Sequence, residues 1–374
     1  EKILPLWVWD LRHLLSALFG FAGLVAVYKT THELAGERAA FLALLLLSIT
    51  GAWTGAMFTH TKDVSFGACM AWAVYYTLLI ARQLPRPPLG LSLKLGVAVG
   101  LALGLRIGGA FAVIYIVLLV IIAGWLHSPK LKERLIYCGL SALHLLPAGA
   151  VAFCWPWAVL GADHILIAAK SFSHFAFDMN TMVDGKFVSI GAVPRTYLHH
   201  YLLIRLPEVF LIGLLIATGS ALIKIRHIHL RNHLAEISIA IAVLTPLLFA
   251  LLDRPALYNG VRHFTFTIPI LAIVAGVGLS HGLTLLKKKN KWRFFYVSVC
   301  LVLISNTAYV LYNLHPYQYI YYNAFAGKSF KQAIHNWEGD YWSSSLIEAS
   351  KALKNHVDAE PVQPQQKPYT VAVC

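Results

Sequence analysis

A succession of apolar runs, at about 12–28, 38–58, 64–81, 95–125, 135–160, 207–223, 236–252, 264–286 and 293–312, limits what this chain can become more than any other feature. Each approaches or exceeds the ~20 residues with which a helix crosses a bilayer. In hydrocarbon every backbone N–H and C=O must find its partner within the protein, so each run is read as helix. The run 95–125 is too long for one ordinary span, and GLRIGGAF at 104–111 interrupts it. It is read as two short helices meeting near a membrane face, which makes about ten crossings.

Charged residues make up 13% of the chain, against roughly 25% in a soluble domain. The chain is therefore expected to be an all-α polytopic integral membrane protein, with a small exoplasmic α/β segment at its C-terminal end. Domains are drawn at 1–312 for the membrane part, with an exoplasmic loop at 160–206, and at 313–374 for the C-terminal segment. The net charge of +14 would suggest nucleic acid in a soluble protein. Here the basic residues sit mainly in short loops between apolar runs, and no aromatic-basic reader module is visible, so nucleic acid is excluded as a partner. Cysteines at 69, 138, 154, 300 and 374 show no paired spacing. Neither a disulfide framework nor a zinc site is expected; HELAG at 32–36 lacks the second histidine of a zinc-protease motif. The chain opens at Glu1 without the pattern of a signal peptide, and residues upstream are expected to be missing.

Lysine and arginine in short loops set orientation. The segments 29–38, 82–94, 127–134, 224–233 and 287–293 carry 16 of the 31 basic residues, and all fall on one side if 95–125 crosses twice. With those loops cytoplasmic, the opposite face gathers WDLRH (9–13), HTKD (60–63), Arg106, the loop at 160–206, DRPALYNGVRH (253–263) and the tail.

Several of these motifs admit both a structural and a functional reading. Gly96, Gly100, Gly104 and Gly108 recur at intervals of four, which favours close helix packing over a phosphate loop. Arg106 within an apolar run either snorkels to the interface or meets a carboxylate or phosphate. Lys62 and Asp63 either keep a short turn in water or hold a lipid phosphate and orient a substrate hydroxyl. Asp253 and Arg254 can end a helix before Pro255. Arg262 and His263 open the next span, where the helix dipole disfavours cations and a compensating anion is called for. The segment 163–208 suits an interfacial amphipathic helix followed by an ordered binding loop. In the tail, Ser345 and Glu348 have capping-box spacing, and 368–374 reads as a strand.

Taken together, RHLLSALFG (12–20), HTKDVSFGA (60–68), GLALGLRIGG (100–109), SFSHFAFDMNTMVDGKF (171–187), YLHHYLLIRLPE (197–208), YNGVRHFTFTIP (258–269) and YYNAFAG…EGDYW (321–342) resemble the GT-C membrane glycosyltransferases. The likeness is to bacterial relatives of the protein mannosyltransferases and of the lipid A aminoarabinose transferase. It implies transfer of a sugar from a polyprenyl-phosphate donor to a protein, lipid or glycan acceptor, by one inverting displacement at the exoplasmic face, here the periplasmic face of a bacterial inner membrane. Membrane lipid and the lipid-linked sugar are the implied partners. The likeness names no definite cofactor beyond the lipid-linked sugar as donor substrate, and it leaves room for a divalent metal. A carboxylate must take the acceptor proton, and cations must stabilise the leaving phosphate. Lys62, Arg106, Arg262 and His263 are candidates for the phosphate, Asp63 and Asp10 for the catalytic carboxylate, and His60, Asp184, Tyr258 and Asn259 for substrate contacts. The family's principal acid lies in a first exoplasmic loop, which this chain is expected to lack unless Asp10 is its remnant. A secondary transporter or lipid flippase is the main rival, weakened by the absence of a clear internal repeat. A non-catalytic assembly subunit is the third reading.

Overall fold

The computed structural model describes residues 7–154, 161, 163–164, 166–167, 179–224, 229–253 and 255–359. The helices are α1 (Val8–Ser48), α2 (Gly51–Thr54), α3 (Thr61–Ala81), α4 (Leu89–Leu105), α5 (Ala110–His127) and α6 (Leu131–Ala152). An antiparallel hairpin of β1 (Asn180–Val183) and β2 (Lys186–Ser189) follows, with Asn180 opposite Ser189. Then come α7 (Tyr197–Arg205), α8 (Glu208–Lys224), α9 (Leu234–Leu252), α10 (Thr267–Leu285), α11 (Asn290–Asn313), α12 (Phe330–Asn336) and α13 (Leu346–Ala359).

Among the described residues, seven helices are long and apolar enough to cross a membrane, and eight if the pair α7 and α8, bent by 119°, counts as one span. Within Val8–Ser48 the backbone leaves the helical conformation at Gly36, whose φ of 78° is left-handed, so the first two expected spans correspond to two helices joined at a kink. With these taken separately, the expected ten crossings differ in one place. The first half of the run 95–125 is α4, only 17 residues long. The break between α4 and α5 falls at Arg106–Gly109, within the stretch where the sequence placed it.

α3 and α10 are the most buried spans, and α1 packs against both. α4 lies between α3 and α6, α8 rests on α10, and α9 covers α3 and α5. Gly96 permits the α4–α6 contact, because a Cβ there would stand 2.6 Å from the Ala148 carbonyl oxygen. α11 buries only Thr307 and Leu311 and exposes Phe294, Phe295, Leu301, Val302, Tyr309 and Tyr312. Such an apolar surface suits hydrocarbon tails rather than water.

The chain forms two compact units, Glu1–Gly339 and Asp340–Cys374, and residues 313–339 belong to the first. Arg205 is the cause. Its buried guanidinium donates through Nη1 to the carbonyls of Tyr319 (2.9 Å) and Tyr321 (3.2 Å), through Nη2 to that of Glu338 (3.2 Å), and lies 4.0 Å from the Tyr322 ring centre. Asn323 Nδ2 adds bonds to the Leu203 and Leu206 carbonyls at 2.6 and 2.7 Å. Residues 319–338 are thereby fastened to the end of α7. The strand pair lies in the long loop rather than in the tail, where the described residues of the second unit form α13. That helix follows Ser345, as the capping-box spacing predicts, and Asp340 accepts from Ser345 N and Oγ at 2.7 Å each. The expected strand 368–374, most of the interfacial helix expected after 160, and Arg254 lie outside the described residues.

Candidate active site

Asp63 sits in the first turn of α3, where free backbone N–H groups favour a negative charge. Arg106 ends α4, where a positive charge is favoured, and an extended backbone (φ −152°, ψ 142°) swings it out of the helix. Arg262 stands in the short turn Arg262–Phe264 ahead of α10. The three converge: Arg106 Nη2 donates to Asp63 Oδ1, and Arg262 Nε donates to Asp63 Oδ2 at 3.3 Å. The Asp63 side chain is 1% exposed, whereas Arg106 and Arg262 keep 22% and 21% of theirs open. The anion that Arg262 calls for ahead of a helix N-terminus is therefore supplied from within the chain.

His263 packs edge-on against Tyr258, with ring centres 4.6 Å apart, and the Arg262 guanidinium lies 5.9 Å from the same ring. The residue as a whole is half-buried, yet its Nε2 is sealed from solvent and has no hydrogen-bond partner among the described residues. Burial, and then the charges of Arg106 and Arg262, push His263 down to about 3, so its imidazole is neutral at physiological pH. Lys62 is exposed one position before Asp63.

The turn that presents Arg262 and His263 is Asn259–Gly260, with φ of 56° and 67°. Gly260 donates its N–H to Tyr197 Oη at 3.0 Å, and a Cβ there would meet the Tyr201 ring at 3.0 Å. Thr181 Oγ1, 3.1 Å from Tyr197 Oη, gives its only proton to Glu338 Oε1 at 2.6 Å, so Tyr197 donates to Thr181. Tyr201 parallels this link: its hydroxyl donates to the Met182 carbonyl at 2.8 Å and accepts from Glu338 N at 3.1 Å. Two tyrosines one helical turn apart thus clamp the cationic loop, the hairpin and the tail.

The remaining sequence candidates fall outside the cluster. His60 is 2% exposed, bonded to Thr59 Oγ1 at 2.7 Å and edge-on to Tyr319, so it packs beneath the cluster's end of the bundle. Asn259 is buried and shapes the turn that carries Arg262. Asp184 occupies the exposed hairpin turn at φ 50°, with no contact to Asp63 or its arginines. Asp10 is exposed at the start of α1. Its neighbour Arg12, which the sequence reading passed over, donates to Thr61 Oγ1 at 3.4 Å and so brings the start of α1 beside the start of α3.

An apolar groove of about 360 Å³, lined by none of the cluster's residues, runs between α1, α3 and α4. Ala68 and Leu101 line it near the Asp63 end, and Tyr76 and Lys94 line it further along.

Residues 9–155 match the sequence profile of the family described as dolichyl-phosphate-mannose-protein mannosyltransferase. The structure is similar to that of the archaeal oligosaccharyltransferase AglB from Archaeoglobus fulgidus in complex with an inhibitory peptide and a dolichol-phosphate. That likeness has a TM-score of 0.51 at 14% identity and covers 98% of this chain and 50% of that one. The chain shares that fold. It is also similar to ArnT from Cupriavidus metallidurans bound to undecaprenyl phosphate, with a TM-score of 0.49, 16% identity, and coverage of 97% of this chain and 69% of that one. Against ArnT in the apo state the values are 0.45 and 15%, covering 87% of this chain and 62% of that one. The chain thus spans from half to about two thirds of the length of these similar structures. Among curated proteins, none matches it in sequence.

Proposed function

We propose that this chain belongs to a glycosyltransferase that takes a sugar from a polyprenyl-phosphate donor and passes it to an acceptor at the exoplasmic membrane face. The observation that carries the reading is the convergence of Arg106 and Arg262 on Asp63, with about a fifth of each arginine side chain left open. In this reading the lipid phosphate meets those open guanidinium surfaces. The profile match to a dolichyl-phosphate-dependent family over residues 9–155 supports the same donor class. So does the dolichol-phosphate named with the archaeal oligosaccharyltransferase structure.

In this reading the two guanidiniums, with Lys62 at the rim, stabilise charge growing on the phosphate as the glycosidic C–O bond breaks. Neutral His263 offers a hydrogen bond from its buried ring nitrogen. The acceptor attacks the anomeric carbon from the side opposite the phosphate, which inverts its configuration. A carboxylate removes the acceptor proton. Asp63 is sealed and has a guanidinium on each oxygen, so it positions Arg106 and Arg262 instead of acting as that base. Asp10, exposed at the start of α1, is the carboxylate in this chain proposed for the proton. The test uses the full-length protein in nanodiscs with a polyprenyl-phosphate hexose. Arg262→Ala and Arg106→Ala should each lower transfer by at least ~100-fold, the scale of losing one oxyanion-type donor. Transfer at the wild-type rate by both variants would remove the proposed site, and an unaffected Asp10→Asn would move the base elsewhere.

A further inference from the structure

The opposite end of the bundle holds a second cluster that the proposed reaction leaves unused. From Asp63, α3 continues to Arg82, 19 residues and therefore about 28 Å away, close to the thickness of a bilayer's hydrocarbon core. There a cavity of about 490 Å³ is lined by Arg82, His127, Tyr137, Arg231, Asn232 and Glu236. Leu34, Arg82, His127 and Arg231 come from four of the five basic loops described above, so the segments that set orientation also share one chamber.

The charges in this chamber are unevenly matched. Arg82 is occupied, donating to Glu33 Oε2 at 2.6 Å and to the Glu33 carbonyl. Glu236 lies 3.1 Å from His233 Nδ1. Arg231 Nη2 has only His127 Nδ1, at 3.5 Å, and among the described residues no carboxylate pairs with it. A guanidinium without a counter-ion, flanked by an amide and an imidazole, selects an anion with several oxygens. Leu84, Pro85 and Ala123 line the apolar part of the same cavity, which lies where helices leave the hydrocarbon.

We propose that this cavity binds the phosphate headgroup of an anionic glycerophospholipid, with Arg231 and Asn232 on the phosphate and the acyl chains leaving between the helices. Basic pockets between membrane helices are suited to such headgroups. The assignment is independent of glycosyl transfer.

The experiment measures thermal unfolding of the full-length protein in detergent with added phosphatidylglycerol, phosphatidylcholine or inorganic phosphate, and counts retained lipids by native mass spectrometry. Phosphatidylglycerol should raise the unfolding temperature and phosphatidylcholine should not. Arg231→Gln should weaken phosphatidylglycerol binding about tenfold, the scale of one charge-assisted hydrogen bond, while Arg231→Lys keeps most of it. Asn232→Leu provides a second variant should Arg231→Gln unfold without lipid. Equal shifts with both lipids, or an unchanged response in Arg231→Gln and Asn232→Leu, would overturn the site. A shift with inorganic phosphate as large as that with phosphatidylglycerol would overturn the lipid assignment in favour of a soluble anion.

Discussion

An aspartate in the first turn of a helix already gains from the free N–H groups there, and Asp63 joins two guanidiniums to that advantage. Neutralising one partner of a buried pair costs ~3–5 kcal/mol. Both arginines keep about a fifth of their side-chain surface open, so Asp63→Asn belongs at or below the lower end of that range. Denaturant unfolding of purified protein measures it, and donor affinity should fall with it because the arginines lose their anchor. His263 gives a pH signature. Its folded value of about 3 lies below the ordinary 6.5, so its contribution to stability is intact above about pH 6.5 and is lost as pH falls toward 3. Unfolding temperature measured between pH 7.5 and 5 should fall more steeply for wild type than for His263→Gln; equal slopes would mean that the imidazole protonates freely in the folded protein.

Among elements, the clamp of Tyr197 and Tyr201 on α7 fixes the loop that carries Arg262. Tyr197→Phe removes the acceptor for Gly260 N–H inside a buried turn, which costs ~1–3 kcal/mol. Thermal unfolding should register that loss and donor affinity should fall alongside it, whereas the exposed Asp184→Asn should change neither. The break at Arg106 and the cationic stretch before α10 were legible in the sequence, because a charge inside an apolar run is costly and therefore conspicuous. The clamp was not. Thr181 and Glu338 are 157 positions apart, and neither residue type stands out in a polar loop. The burial of His60 and Asn259 was hidden for a related reason: a motif shows which residues are neighbours in sequence but not which of them turn inward. Arg12 went unnoticed because its contact with Thr61 depends on how α1 packs on α3.

At the scale of the whole molecule, the apolar segments were legible as membrane helices because their length exceeds anything a soluble core requires. Where α1 breaks and how far the tail belongs to the membrane unit were set by Gly36 and Arg205, through contacts and conformations that composition does not encode. The two polar ends make a sidedness prediction. Cysteine introduced as Lys62→Cys should react with an impermeant reagent from one side of the membrane, and Asn232→Cys from the other. Labelling of both from a single side would dissolve the arrangement proposed for donor and phospholipid alike. α3 is buried along most of its length and tied at both tips, by Asp63 to its arginines and by Arg82 to Glu33. A rod pinned in this way cannot stretch to suit its surroundings. In a membrane whose acyl chains are too long or too short, the mismatch must be met by tilting the bundle or deforming the lipid around it. Catalytic rate in reconstituted bilayers should then peak at one chain length.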